Sequence, residues 1–305
     1  MSMADNVWYY TFKMVGHHLC TKERNGKMKK KALFSIILSA VLLLSMLSGC
    51  SPEKEAEPAD APTSYIGIIS AMQNEIDLLM KETDIERTDT IGGVDYYVGK
   101  LCDKDVVIAK SGIGKVLAAS GVTAMLNNYD ISRVYFTGIA GGVGDQTQVL
   151  DEVIATSLVQ HDYGQITNDG FEWTAGSEGA PGEEREEGQD GYYPCDEGLV
   201  DLAYNAAVKV VGEDHVFKGV IATGDQFIAS ESHVEMLQET HDAIACEMEG
   251  ASIALVCGQY DVPFVVIRAM SDKADGNAHE SFDNMGDIAA DNSSKIIMQM
   301  LKDDQ

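Results

Sequence analysis

Two runs of this chain, Val106-Val107-Ile108-Ala109 and Pro263-Phe264-Val265-Val266-Ile267, contain no polar residue. A strand with one wet face alternates apolar and polar side chains, so an unbroken apolar run marks a strand covered on both faces. Covering both faces takes helices, and the intervening segments supply them. Helical spacing of apolar residues is read over 74–80, 114–127, 199–211, 232–239, 248–259 and 285–301. In the last of these, Ile288, Ala289, Ile296, Ile297, Met300 and Leu301 form a stripe. Strands are read at 66–70, 94–101, 106–110, 133–137, 152–159, 218–222, 243–247 and 264–270. The pattern predicts a single α/β domain over 65–305, with a central mixed, largely parallel twisted sheet flanked by helices. Ligands of such sheets collect beyond the carboxyl ends of the strands.

Four short segments fall where these strands end or helices begin: Ser70-Ala71-Met72-Gln73-Asn74-Glu75, Gly224-Asp225-Gln226-Phe227-Ile228, Glu247-Met248-Glu249-Gly250 and Arg268-Ala269-Met270-Ser271-Asp272. Together they hold what cleavage of a nucleoside N-glycosidic bond requires. A leaving purine needs an acid and an aromatic face, the ribose diol needs a carboxylate, and a second carboxylate must activate water. Asp272 follows a buried strand, where burial raises a carboxyl pKa enough to keep a proton for the purine N7. Glu249 offers two acceptor oxygens at the spacing of a vicinal diol. Glu75 opens a helix, where the helix dipole alone also favours a carboxylate. Taken by itself, Phe227 suits a core as well as a purine.

Two glycine-rich turns, Ser111-Gly112-Ile113-Gly114-Lys115 and Thr137-Gly138-Ile139-Ala140-Gly141-Gly142, lack the G-x-x-x-x-G-K-[ST] spacing of a phosphate loop. They are read as close backbone approaches to the nucleoside. The first-strand loop carries Glu75 and no Arg, which favours water over phosphate as nucleophile.

In the content and order of these motifs, the stretch from Tyr65 to the C-terminus resembles the bacterial 5′-methylthioadenosine/S-adenosylhomocysteine nucleosidases of the nucleoside phosphorylase/nucleosidase superfamily. The resemblance implies a nucleoside phosphorylase-like fold and no cofactor or metal. It also implies hydrolysis of 5′-substituted adenosines, such as 5′-methylthioadenosine, S-adenosylhomocysteine or 5′-deoxyadenosine, to adenine and the free ribose derivative. By the same resemblance Glu75 is the general base and Asp272 the purine-protonating acid, oriented by Ser271. Arg268 helps to position the water, with pairing to Glu247 as the alternative. Phe227 stacks on the purine and Ile228 presents backbone groups to its edge. Met248 packs on the ribose and Glu249 binds the diol. Gly141 approaches the nucleoside, and Met72, Ile113 and Phe282 wall an apolar 5′ pocket. The family also implies a homodimer.

The chain departs from the family pattern in two places. Ile139 stands where many members have Ser. After Val159-Gln160-His161-Asp162, which matches the family's dimer-contact strand, come Tyr163-Gly164-Gln165 and an insertion over 164–194. In the family this region of a neighbouring subunit closes the 5′ pocket. The insertion sets Gly176, Gly179, Gly182, Gly188 and Gly191 around the acidic run Glu183-Glu184-Arg185-Glu186-Glu187, and is expected to be a solvated loop.

Ahead of the domain, Met28-Lys29-Lys30-Lys31 precedes an apolar run over 32–47 that ends in Leu47-Ser48-Gly49-Cys50. This reads as a lipoprotein signal peptide over 28–49, with cleavage before Cys50 and lipidation of its thiol. The mature chain is then anchored outside the cytoplasm, at a bacterial cell membrane. An uncleaved membrane helix is the rival reading, although the run falls short of the ~20 residues that span a bilayer. Residues 1–27 are polar and aperiodic, so the translation start is expected at Met28; 50–64 is expected to be a tether.

A formal charge of −27 argues against nucleic acid as a partner. Cys102, Cys195, Cys246 and Cys257 show no metal-ligand spacing and are expected to be free thiols. Two rival functions remain open: a broader purine nucleoside hydrolase or phosphorylase, and a nucleoside-binding lipoprotein. The retention of Glu75, Glu249 and Asp272 together argues against pure binding.

Overall fold

The computed structural model describes residues 64–175 and 190–304. The signal peptide, Cys50, the tether over 51–63 and the acidic run over 183–187 lie outside them. The described chain forms strands β1 (Tyr65–Ser70), β2 (Asp84–Ile91), β3 (Val94–Leu101), β4 (Lys104–Lys110), β5 (Ile131–Gly142) and β6 (Glu152–Gln160). There follow β7 (Gly164–Thr167), β8 (Gly170–Trp173), β9 (Tyr192–Pro194), β10 (Val216–Thr223), β11 (Ala243–Glu247) and β12 (Phe264–Asp272). The helices are α1 (Gln73–Glu82), α2 (Lys115–Asn128), α3 (Glu197–Val211), α4 (Glu231–His241), α5 (Gly250–Gln259) and α6 (Ala278–Asp303).

The main sheet runs β11-β10-β6-β12-β5-β1-β4-β3-β2, with β9 added on β6. Its centre is parallel: β1 pairs with β4 and β5, β12 with β5, and β10 with β6 and β11. Both apolar runs of the sequence are central, and Val106, Val107, Ile108, Val265, Val266 and Ile267 are fully buried. β11 also pairs with β5, Cys246 opposite Gly141, so β5-β12-β6-β10-β11 closes into a barrel. α6 packs against β12, β5, α1 and α3 and buries Ile296, Ile297, Met300 and Leu301. The mixed, largely parallel α/β sheet is as expected from the sequence, and all four described cysteines are free thiols.

Three expectations require correction. The stretch Thr137–Gly142 is not a turn: β5 continues through it to Gly142. An edge strand, β2, precedes the expected β3 and joins it through Gly92 and Gly93, both at positive φ, the geometry of a tight hairpin turn. The described ends of the insertion are ordered elements rather than solvated loop. β7 and β8 pair across an Asn168-Asp169 turn, and β9 adds to β6. Trp173 anchors this hairpin by donating from Nε1 to the Gln160 carbonyl at 2.8 Å and packing edge-on against His241.

Candidate active site

The carboxyl ends of β1, β4, β5, β10, β11 and β12 surround one cavity of about 470 Å³. Met72, Glu75, Ile113, Gly141, Phe227 and Ile228 border it, as do Met248, Glu249, Ser271, Asp272 and Phe282. Of the residues expected to act in catalysis or substrate binding, Arg268 alone does not line it, and of the two glycine-rich stretches Ile113, Ile139, Ala140 and Gly141 reach it.

Glu75 is the third residue of α1 and is buried. Its Oε2 accepts from the backbone N–H of Ala71 at 3.0 Å and of Met72 at 2.8 Å, and its Oε1 accepts from the Ile139 N–H at 2.9 Å. The capping and catalytic readings of Glu75 are thus compatible, since Oε1 accepts only one of these bonds and keeps a lone pair. Burial raises its pKa, while Arg268 and the three backbone donors pull the other way. At position 139 the chain supplies its main-chain N–H to the Glu75 carboxylate.

Asp272 ends β12, one residue past a bulge at which Met270 pairs with Ala140 but Asp272 pairs with Gly141. Such a bulge re-aims side chains. Asp272 Oδ1 accepts from the Ala274 N–H at 2.7 Å, and Oδ2 lies 2.7 Å from Ser271 Oγ. Ser271 Oγ is also 3.3 Å from the Ala140 carbonyl, so its proton has a second acceptor when Asp272 is protonated. Burial raises the Asp272 pKa, against the opposing pull of Ser271, Ala274 and His279. An elevated carboxyl pKa is what a general acid at neutral pH requires.

Glu249 follows β11. Its Oε1 accepts from the Gly114 N–H at 2.7 Å and its Oε2 from Arg268 Nη2 at 3.2 Å. Burial and the neighbouring Glu247 push its pKa up to about 7, with Arg268 and the Gly114 N–H opposing.

Arg268 is almost fully buried behind these acids. Nη2 bonds Glu247 and Glu249, Nη1 stands 3.8 Å from Glu75, and the guanidinium lies over the Phe136 ring at 4.2 Å. Burial opposes its charge, but the three carboxylates outweigh it and raise its pKa. Its geometry is that of a shared counter-ion for Glu75, Glu247 and Glu249. Glu247 accepts in addition from the N–H groups of Glu249 and Gly250 and from Thr223 Oγ1. Glycine at 138 follows directly, because a Cβ there would sit 2.2 Å from Arg268 Nη1 and 2.4 Å from Glu75 Oε1.

Phe227 is partly exposed at the mouth, with the His279 ring stacked on it at 4.5 Å and Phe282 edge-on at 6.0 Å. Met72 and Phe282 pack with Ile139 as an apolar wall. Sequence reading missed His279 and Asp283, which reach the cavity from the first turns of α6. Those turns face the cavity and solvent instead of the core, so the apolar periodicity that reveals a helix begins only later. Among the described residues that line the cavity there is no Lys or Arg.

This arrangement of fold and acids belongs to a known class: residues 65–302 match the phosphorylase superfamily, and the chain is a member of it. Within that superfamily it belongs to the family of the 5′-methylthioadenosine/S-adenosylhomocysteine nucleosidases, enzymes that hydrolyse N-glycosidic bonds of adenosine derivatives. The nucleosidase of that name from Tolumonas auensis is 37% identical over 238 residues, 78% of this chain and 98% of the relative. One from Bacillus thuringiensis is 36% identical over 239 residues, again 78% and 98%. Among solved structures, the Neisseria meningitidis nucleosidase in complex with methylthio-immucillin-A superposes with a TM-score of 0.69 at 34% identity. That match covers 79% of this chain and 99% of the other. The futalosine hydrolase of Helicobacter pylori superposes with a TM-score of 0.68 at 31% identity, covering 79% and 98%.

Proposed function

We propose that this chain releases adenine from 5′-substituted adenosines by attack of water on the ribose carbon of the N-glycosidic bond. The reading rests on one observation: Glu75, Glu249 and Asp272, from three separate parts of the chain, border a single cavity with Phe227 at its mouth. Asp272 donates its proton to the purine as the bond lengthens, which spares the departing base a negative charge. Glu75 takes a proton from water on the opposite face of the sugar. Glu249 holds the diol, and Met248 packs on the ribose. Phe227 and Ile228 hold the purine, and Met72, Ile113 and Phe282 give the 5′ substituent an apolar wall suited to a thioether.

Phosphorolysis would place an anion beside these acids, and the described lining residues include no Lys or Arg to hold it. Water is therefore the nucleophile. The test is chromatography of free adenine after incubation with 5′-methylthioadenosine, with and without phosphate. Equal release in both is expected; a phosphate requirement would overturn the hydrolytic reading.

The active form on this reading is a homodimer anchored by lipid at Cys50 to the outer face of a bacterial membrane. The exposed apolar residues Ile113, Val116 and Leu117 beside the cavity support an interface there. The Leu47-Ser48-Gly49-Cys50 motif supports the anchor. Sedimentation of the purified chain and mass spectrometry of its N-terminal peptide test the two.

A further inference from the structure

The loop that carries Phe227 and the turn that contacts Glu249 are fastened to each other outside the cavity. We propose that Lys115 and Asp162 are positioning residues that fix the spacing between the purine grip and the ribose grip. The proposal builds on the functional reading above and gives these two side chains a role that neither the resemblance nor the cavity lining assigned them.

Lys115 is the first residue of α2. Its Nζ donates to Asp162 Oδ1 at 2.6 Å and to Gln160 Oε1 at 3.2 Å, and the lysine and aspartate side chains are only 17% and 14% exposed. Asp162 Oδ2 accepts from the backbone N–H of Asp225, in the loop leading to Phe227, at 2.8 Å. Asp225 returns the connection: its Oδ1 accepts from the backbone N–H of Lys115 at 2.8 Å. That amide is one of the first-turn donors a helix cannot satisfy internally, and Gly114 at the cap position has no side chain to serve it. The N–H of the same Gly114 donates to Glu249 Oε1. A continuous path of hydrogen bonds therefore runs from the purine loop, through the start of α2, to the diol carboxylate.

Packing leaves this path little slack. Gly114 has φ +98, and a Cβ there would stand 3.0 Å from Asp225 Oδ1; a Cβ on Gly224 would stand 2.2 Å from the buried His161 Nε2. Neither Lys115 nor Asp162 lines the cavity. Their influence on a substrate must pass through the two loops.

A nucleoside engages both grips at once. When the spacing is fixed, closing the second contact is an intramolecular event at high effective concentration. Loosening the clip leaves each grip able to bind its own half but weakens the whole. The signature is thus a loss for the nucleoside that free adenine does not share.

In the full-length chain, Asp162→Asn keeps the side-chain shape and removes the charge, while Lys115→Met removes the donor. Each is expected to raise KM for 5′-methylthioadenosine about tenfold, the scale of a weakened intramolecular closure, while the inhibition constant of adenine moves less than threefold. The double variant should lose no more than the worse single one, because the two act as one unit. Lys115→Arg, which keeps the donor, should recover most of the loss. KM within twofold of wild type in both single variants would overturn the proposal. So would adenine affinity falling in parallel with that of the nucleoside, which marks a general collapse of the purine loop. If the wild-type chain releases no adenine, the functional reading fails; calorimetric affinities for 5′-methylthioadenosine and adenine still decide the clip.

Discussion

Glu152 opens β6 and is completely buried, and neither of its oxygens meets a hydrogen-bond donor among the described residues. Burial, reinforced by the neighbouring Asp151, holds its carboxyl well above the ordinary 4.5. The acid is therefore carried neutral in the core, opposite Ala269 of β12. Replacing it with leucine removes a buried polar group that lacks a partner, a penalty of about 1–3 kcal/mol in proteins. It also removes a proton linkage. Above pH 4.5 the unfolded chain releases this proton while the folded chain keeps it. Wild-type stability therefore falls as pH rises from the unfolded value toward the folded one, by up to ~1.4 kcal/mol per pH unit. Glu152→Leu lacks that slope. Guanidinium denaturation of both chains should show the variant more stable by about 2 kcal/mol at pH 5 and by more at pH 8. At roughly 2–4 °C per kcal/mol for a domain of this size, Tm at pH 5 should rise by roughly 4–8 °C. A destabilised variant, or the same gain at both pH values, would refute the reasoning.

Asp272→Asn should lower turnover by about 10²-fold or more, the usual worth of a general acid. It should also abolish the fall in activity at high pH, because that fall marks ionisation of a carboxyl whose pKa is raised; near-normal turnover would remove the acid assignment. Glu75→Gln should abolish hydrolysis and leave nucleoside affinity measurable by calorimetry, and loss of both together would point to a structural role. Arg268→Met leaves Glu75, Glu247 and Glu249 buried without their counter-ion and should cost about 3–5 kcal/mol, read as a lower Tm. An unchanged Tm would show that other donors suffice for the three acids.

What the sequence disclosed follows from which forces act locally. Central strands such as β4 and β12 are buried on both faces, so their composition alone declares them. β2 is an exposed edge, and Asp84-Ile85-Glu86-Arg87-Thr88-Asp89 looks like surface because most of it is surface. The glycines of β5 imitate a turn, yet Gly138 and Gly141 are small because Arg268, Glu75 and Asp272 crowd against the strand. The cavity-lining residues were legible because short motifs sit where strands end. The burial of Arg268 behind the acids was not, since one guanidinium serving three carboxylates is a property of tertiary packing. The Lys115–Asp162 pair was equally hidden, 47 residues apart and joined only when β6 ends beside α2.

The pairing of β11 with β5 has a further consequence. Strands bearing Gly138, Glu247, Arg268 and Asp272 form a closed ring, so none of them has a free edge from which to fray. Amide hydrogens in this ring should exchange with deuterium only when the whole domain unfolds, and ligand entry must rely on breathing of the surrounding loops rather than of the strands themselves.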